Sequence, residues 1–285
     1  MDFVSLAIPL LAAALLHATW HALVKASVDS LVTLSGISLV SVALSLLVLP
    51  WGGMAGLQAW PFLVLSVVLH NAYKLGLAQL YRQADLGLAY PLARGMGPLF
   101  VCLIAWIYFS DSPGWTQLAG IVLICAGLVG LAYAQIRVSR RLQLKLWLAA
   151  IATGISVAGY TVVDAYGART SQNWLSYAAW LMILDGVTFM FLVAAIRGAS
   201  LWQGLANNWR PTLIAGLLGT AAFSVLLWAL SLGPVASVAA LRETSVLFAA
   251  LIGMVFFGEP RTLDRIGFVL MVMIGVMVLT WSHLR

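Results

Sequence analysis

Side chains that hold charge or exchange protons interrupt this chain at helical spacing, inside stretches that are otherwise apolar. His17 and His21 stand four residues apart with Trp20 beside them, which puts both imidazoles on one face of a helix. Such a face is aromatic, wet and able to change charge near neutral pH, so it can bind a carboxylate or relay protons. The plainer alternative is two histidines hydrogen-bonded to neighbouring helices. His70, Tyr73 and Lys74 form a second face at i, i+3 and i+4, continued by Leu77 and Tyr81. Lys74 can hold a substrate carboxylate while the tyrosine rings take apolar or cationic parts of a ligand. It lies within about two turns of the loop, so snorkelling to the interface is the competing reading.

Further along, Tyr90 precedes Arg94 by one turn, between Pro91 and Pro98 and next to Gly95 and Gly97. That composition predicts a bent helix whose freed carbonyls can line a cavity. Tyr160 precedes Asp164 by one turn, Asp185 lies near the middle of its own apolar run, and Trp228 and Arg242 lie deep in theirs. Arg94 and Arg242 can face a ligand, or each can pair with an acid and lock the molecule together; Asp164 and Asp185 are the expected acids. Glu243 adjoins Arg242, but successive helical residues point about 100° apart, so these two are expected not to pair. Asp164, Asp185 and Glu243 can act as proton carriers or as fixed counter-ions. The candidate binding set is therefore His17, Trp20, His21, His70, Tyr73, Lys74, Tyr90, Arg94, Tyr160, Asp164, Trp228 and Arg242.

The elements that carry these residues belong to a membrane. Of 285 residues, 63% are hydrophobic and 8% charged, and the mean hydropathy is +1.02, which excludes an ordinary water-soluble domain. Apolar runs of about 20 residues fit helices crossing about 30 Å of hydrocarbon, whereas barrel strands would be shorter and strictly alternating. Ten helices are predicted, near 3–24, 31–49, 59–80, 86–109, 115–136, 146–167, 174–196, 211–232, 234–257 and 264–282. The first is expected to be a mature membrane helix and not a cleaved signal, since its leading flank carries Asp2 and no Lys or Arg. The connections 137–145 and 198–210 are too short to fold alone. Trp51, Trp60, Trp115, Trp174, Trp202, Trp209 and Trp281 fall at segment ends, as interface anchors do.

The net charge of +6 sits in short loops beside membrane segments, so topology explains it and nucleic acid is not an expected partner. With the N-terminus outside, Lys25, Arg82, Arg137, Arg140, Arg141, Lys145, Arg197, Arg210, Arg261 and Arg265 are cytoplasmic, and only Arg169 and Arg285 lie opposite. Cys102 and Cys125 sit in apolar runs without a CxxC or Cys/His cluster, so they are read as packing residues. No metal and no cofactor is expected.

The chain also aligns with itself. Residues 94–111 match 242–259 without a gap: Arg94 meets Arg242, Leu99 and Phe100 meet Leu247 and Phe248, Phe109 meets Phe257, and Asp111 meets Glu259. Gly120 and Gly127 follow against Gly267 and Gly275 with one residue of slip. The unit is five helices, an odd number, so its two copies must lie in opposite orientations, as in many secondary transporters. The expected fold is all-α and integral to the membrane, ten transmembrane helices in two inverted five-helix repeats: 1–136, a basic linker at 137–145, then 146–285.

With Phe256, Phe257, Gly258 and Glu259 closing the ninth segment before a Gly-rich tenth, echoed by Tyr108, Phe109, Ser110 and Asp111, the chain resembles the drug/metabolite transporter superfamily, in its EamA-type ten-helix branch. Trp20 and Lys25, closing an Ala-rich first helix, are similar to the family as well. The resemblance covers nearly the whole chain and implies a carrier with a central cavity, often exporting amino acids or other small metabolites from bacterial cells. The first half has Ser-Asp where Gly-Glu is usual.

The reading is therefore a non-ATP secondary transporter in the bacterial inner membrane. It exports small metabolites, amino acids first among them, by alternating access around a cavity lined by helices 1, 3, 4, 6, 8 and 9. Its partners are that small molecule and the lipid bilayer. The rival readings are a membrane-embedded enzyme using His17, His21 and Asp164, unsupported by any HExxH, GxSxG or paired-carboxylate motif, and a channel-like or structural subunit.

Overall fold

A computed structural model describes residues 3–84, 88, 90, 91, 94, 97–109, 113–139, 144–259 and 262–283. Arg140, Arg141, Arg261, Arg285, Gly95 and the Ser110–Asp111 part of the helix-ending echo lie outside the described residues. The helices are α1 (Phe3–Ala26), α2 (Ser30–Gly52), α3 (Trp60–Gln83), α4 (Gly97–Phe109), α5 (Trp115–Ser139), α6 (Leu144–Thr170), α7 (Trp174–Arg197), α8 (Ser200–Asn207), α9 (Trp209–Leu232), α10 (Val235–Arg242), α11 (Ser245–Phe256) and α12 (Leu263–Trp281). Leu88, Tyr90, Pro91 and Arg94, ahead of α4, are helical too. Among the described residues nine segments are long and apolar enough to cross a membrane, the tenth being the shorter run that contains α4. Ile8, Val64, Phe191 and Met277 are among the large apolar side chains exposed on the outer faces, as a hydrocarbon surround allows.

One expectation is corrected and one is refined. The ninth segment is not one helix: α10 ends at Arg242 and α11 starts at Ser245, with Glu243 and Thr244 in a tightened turn. There the Glu243 and Thr244 N–H groups donate to Ala240 and Leu241, three residues back, the 3₁₀ pattern that marks a local break. The connection 198–210 forms α8, whose Gly204 lies against Val32 and whose Leu205 reaches Gly36, so a segment that cannot fold alone folds by leaning on α2.

The packing repeats itself. Helices α3 and α6 pack together as α1 and α9 do, α2 and α9 as α7 and α3 do, and α1 and α11 as α6 and α4 do, while α2·α7 and α5·α12 are central pairs. A second stretch of the repeat, not noticed in the sequence, explains the ends. Lys25 donates to the Tyr81 and Ala84 carbonyls, both at 2.8 Å, and Arg169, 144 residues on, donates to those of Leu230 and Gly233 at 3.1 and 2.6 Å. Each cation satisfies the last carbonyls of a neighbouring helix, which have no partner within that helix. In the same register Asp29 caps α2 and Asn173 caps α7. Arg169, exceptional in the charge tally, is thus held by a helix end.

The α5·α12 pair is a contact of small residues. A Cβ on Gly275 would fall 2.8 Å from the Ile124 nitrogen and 2.9 Å from the Gly120 carbonyl, whereas one on Gly267 would meet nothing within 4 Å. Gly275→Leu is therefore expected to lower the apparent Tm in detergent, at a cost of at least about 1–3 kcal/mol. Gly267→Ala is expected to leave it unchanged, and equal effects from the two would refute this packing.

Candidate functional site

A cavity opens between α1, α2, α3, α6, α7 and α9, with about 100 Å³ open to the centres of water-sized spheres. His17 and Trp20 line it from α1, Ser38 and Ser41 from α2, His70, Tyr73 and Lys74 from α3, and Tyr160 from α6. Met182 and Asp185 follow from α7, and Gly219, Thr220 and Phe223 from α9. Helices α2 and α7 thus take the place expected for the fourth and ninth segments. Those segments end behind the wall because their arginines turn toward a shared carboxylate.

Lys74 does not snorkel. Its Nζ donates to Asp185 Oδ2 at 2.5 Å and to Ser38 Oγ at 2.7 Å, and it lies 4.6 Å from the centre of the Phe189 ring. Asn71 Nδ2 donates to the other Asp185 oxygen at 3.2 Å. Asp185 therefore serves Lys74, not an arginine, because α7 packs beside α3. A charge at this depth is expensive unless paired, and here both partners are also on the cavity wall.

Above the cavity the α1 histidines form a directed chain. Trp20 Nε1–H donates to His17 Nδ1 at 3.2 Å, which leaves the proton of a neutral His17 on Nε2, 3.1 Å from His21 Nε2. The Tyr73 hydroxyl lies 3.3 Å from that same His21 nitrogen, and His21 Nδ1 then donates to the Tyr81 hydroxyl at 2.6 Å. His21 is fully buried and stacked on Trp20 with centroids 3.7 Å apart, so His17 and Trp20 face the cavity while His21 and Tyr81 stand behind them.

Asp164 is buried beside the cavity wall. Its Oδ1 accepts from Ser66 Oγ at 2.5 Å and Tyr177 OH at 3.1 Å, and its Oδ2 faces His70 Nε2 at 3.8 Å. It touches neither arginine, which corrects its expected role as their counter-ion, and it is not joined to His17 and His21 as an enzyme reading would need.

The arginines instead share Glu243. Arg94 Nε and Nη2 donate to its two oxygens, each at 2.7 Å, in a bidentate bond, and Arg242 Nη2 donates to Oε1 at 3.2 Å. Adjacent Arg242 and Glu243 do pair, against expectation, because the turn between α10 and α11 breaks the 100° advance of a continuous helix. Arg242 also donates to Thr161 Oγ1 at 3.2 Å, and Tyr90 OH bonds Ser245 Oγ at 2.7 Å. Arg94, Tyr90 and Glu243 are sealed from the cavity, while Arg242 borders a small pocket that shares His17, Tyr160 and Phe223 with the cavity lining. Trp228 packs against a separate apolar cluster and lines neither space.

Sequence reasoning overlooked the hydroxyl and amide partners Ser38, Ser41, Ser66, Asn71, Thr161, Tyr177 and Thr220. A signal existed for α2, whose Ser38, Ser41 and Ser45 recur at three and four residues on one face. Ser66 and Tyr177 announce themselves only by what they touch. At the other end, Glu259 pairs with Arg265 at 3.0 Å and folds over Gly253 after Gly258 takes φ +65°, a helix-end clasp far from the cavity lining. Glu243→Ala leaves two guanidinium groups buried without their shared acid and is expected to cost about 3–5 kcal/mol, read as a lowered Tm in detergent. A Tm equal to wild type would show that the cluster is not structural.

Comparison with known proteins adds the ancestry. Residues 144–281 match the EamA-like transporter family, and residues 53–124 match the Small Multidrug Resistance protein family. The chain is 24% identical over 230 residues to the "Uncharacterized transporter YwfM" of Bacillus subtilis (strain 168), covering 78% of this chain and 74% of that one. A solved structure titled "Crystal structure of protein" superposes with a TM-score of 0.76 at 18% identity, over 99% of both chains, and shows the fold alone. By its second-half match to the EamA-like transporter family, its first-half match to the Small Multidrug Resistance protein family and its transporter relative, this chain is similar to EamA-type members of the drug/metabolite transporter superfamily.

Proposed function

We propose that the protein is a secondary transporter that exports zwitterionic small metabolites, amino acids first among them, across a bacterial inner membrane. The observation that carries this reading is the Lys74–Asp185 pair on the cavity wall. An α-amino acid brings a carboxylate and an ammonium on neighbouring atoms. Inserted between the two side chains, it gives Lys74 a new anion and Asp185 a new cation, so neither charge is left bare. Charge balance points the same way. At membrane depth Lys74, Arg94 and Arg242 stand against Asp164, Asp185 and Glu243, and a net-neutral ligand leaves that balance undisturbed. Trp20, Tyr73, Tyr160 and Phe223 supply ring faces for an apolar or aromatic side chain.

The repeat supports alternating access. Residues 1–136 and 146–285 are read as inverted halves, the cavity lies between helices of both, and no chemical step on the substrate is required. The positive-inside tally supports both termini outside.

Counterflow of labelled amino acids in liposomes of purified protein tests the reading. Saturable exchange is expected, with Lys74→Gln and Asp185→Asn each lowering it at least about tenfold, equivalent to about 1.4 kcal/mol. Folded protein that exchanges no amino acid, or exchange indifferent to both substitutions, would overturn the substrate assignment.

A further inference from the structure

The hydrogen atoms around His70 can be counted. Ser66 has one hydroxyl hydrogen and gives it to Asp164 Oδ1. His70 Nδ1 has two neighbours within hydrogen-bond distance, the Ser66 hydroxyl oxygen and the Ser66 carbonyl, each at 3.0 Å. A carbonyl only accepts and the hydroxyl hydrogen is already used, so Nδ1 must carry a hydrogen. In neutral His70 that leaves Nε2 bare, and it faces Asp164 Oδ2 at 3.8 Å. This oxygen is buried and accepts no hydrogen bond, since Ser66 and Tyr177 both donate to its twin. Two bare acceptors thus face each other beside the cavity, and a single proton resolves the conflict. Bound to Nε2 it makes an imidazolium–carboxylate pair; bound to Oδ2 it makes an acid that donates to the imidazole.

We propose that His70 and Asp164 form a one-proton site, loaded from the cavity, whose occupancy couples substrate export to a proton gradient. The clause on export rests on the transporter reading above. The proton has a route, because His70 lines the cavity, stacked on Tyr160 at 4.0 Å, while Asp164 lies behind it. It also has a lever, because His70 is on α3 and Asp164 on α6, one from each half, so a shift between the halves alters their separation.

The other charged and titratable groups around the pair are accounted for. Tyr177 of α7 donates to Asp164. Tyr160 of α6 stacks on the imidazole, and Arg242 of α10 lies 6.0 Å from the Tyr160 ring centre while bonded to Glu243. Lys74, one turn along α3, is held by Asp185 of α7, and His17 of α1 and Tyr73 of α3 share the cavity lining with His70. Phe223 of α9 contributes only an uncharged ring at 5.3 Å.

The test has two arms. In lightly buffered detergent, purified wild type is expected to take up about one proton per chain more than the Asp164→Asn, His70→Gln double variant when acidified across about pH 9 to 5. Uptake equal to wild type in the folded double variant overturns the site whatever the substrate is. Asp164→Asn can keep the Ser66 and Tyr177 hydrogen bonds, and His70→Gln removes the other partner independently. In liposomes, a one-unit pH gradient is expected to drive about tenfold accumulation of the exchanged amino acid by wild type. Asp164→Asn is expected to lower accumulation by a larger factor than it lowers counterflow, because counterflow needs no net proton movement. Accumulation by Asp164→Asn equal to wild type overturns the coupling. Absence of amino-acid exchange in wild type rejects the proposed substrate, and the proton-uptake arm still decides the site.

Discussion

Every buried charge in this protein must find its partner without help from water, and the rest of the structure is arranged around that constraint. An isolated ion in hydrocarbon costs several kcal/mol, so a charge is kept at that depth only when another group offsets it. Arg94, Glu243 and Arg242 show the consequence most plainly. The turn at Glu243 and Thr244 forfeits regular helical hydrogen bonds, and in return one carboxylate reaches two guanidinium groups from different segments. The cluster ties the stretch before α4 to the junction of α10 and α11, so the cavity is closed behind by an ionic wedge.

Where no charges hold helices together, the absence of side chains does. Between helices in lipid there is no hydrophobic driving force, so association depends on close packing and on polar contacts. Gly120 and Gly275 let α5 and α12 approach backbone to backbone, and Gly76 brings α3 against Thr153 of α6. The second of these contacts lies on the same helix pair as His70 and Asp164. At the helix ends Lys25 and Arg169 bind the carbonyls of α3 and α9 in corresponding ways. The last carbonyls of α3 and α9 are thus satisfied, while Lys74 and Asp185 stand on the cavity wall where a ligand can reach them.

The cavity is not symmetric, although the packing around it is. Lys74 and Asp185 lie on α3 and α7, while Phe223 and Gly219 are the counterparts on α9 to polar residues of α3. A repeated scaffold gives two faces that can open alternately, whereas a ligand needs one set of chemically distinct contacts. Divergence of the two halves at these positions reconciles the two demands, with α2 contributing hydroxyls where α7 contributes a carboxylate.

The apolar run lengths alone determined that the chain is a helical membrane protein, because only a helix satisfies its own backbone in lipid and about 20 residues are needed to cross. The ungapped match of Arg94 with Arg242 pointed to a five-helix repeat, and the i, i+4 spacing marked two polar helix faces, of which His17, His70 and Lys74 reach the cavity. What remained to the tertiary structure was pairing. Spacing reports which side chains share a face, but an ion pair joins residues distant in sequence, and its choice follows from which helices are neighbours. So Asp185 went to Lys74, Asp164 to Ser66 and Tyr177, and Glu243 to both arginines. That last outcome needed a break in a helix whose sequence reads as continuous, since Ala-rich residues on either side favour α-helix and only the demand of two buried guanidinium groups overrides them.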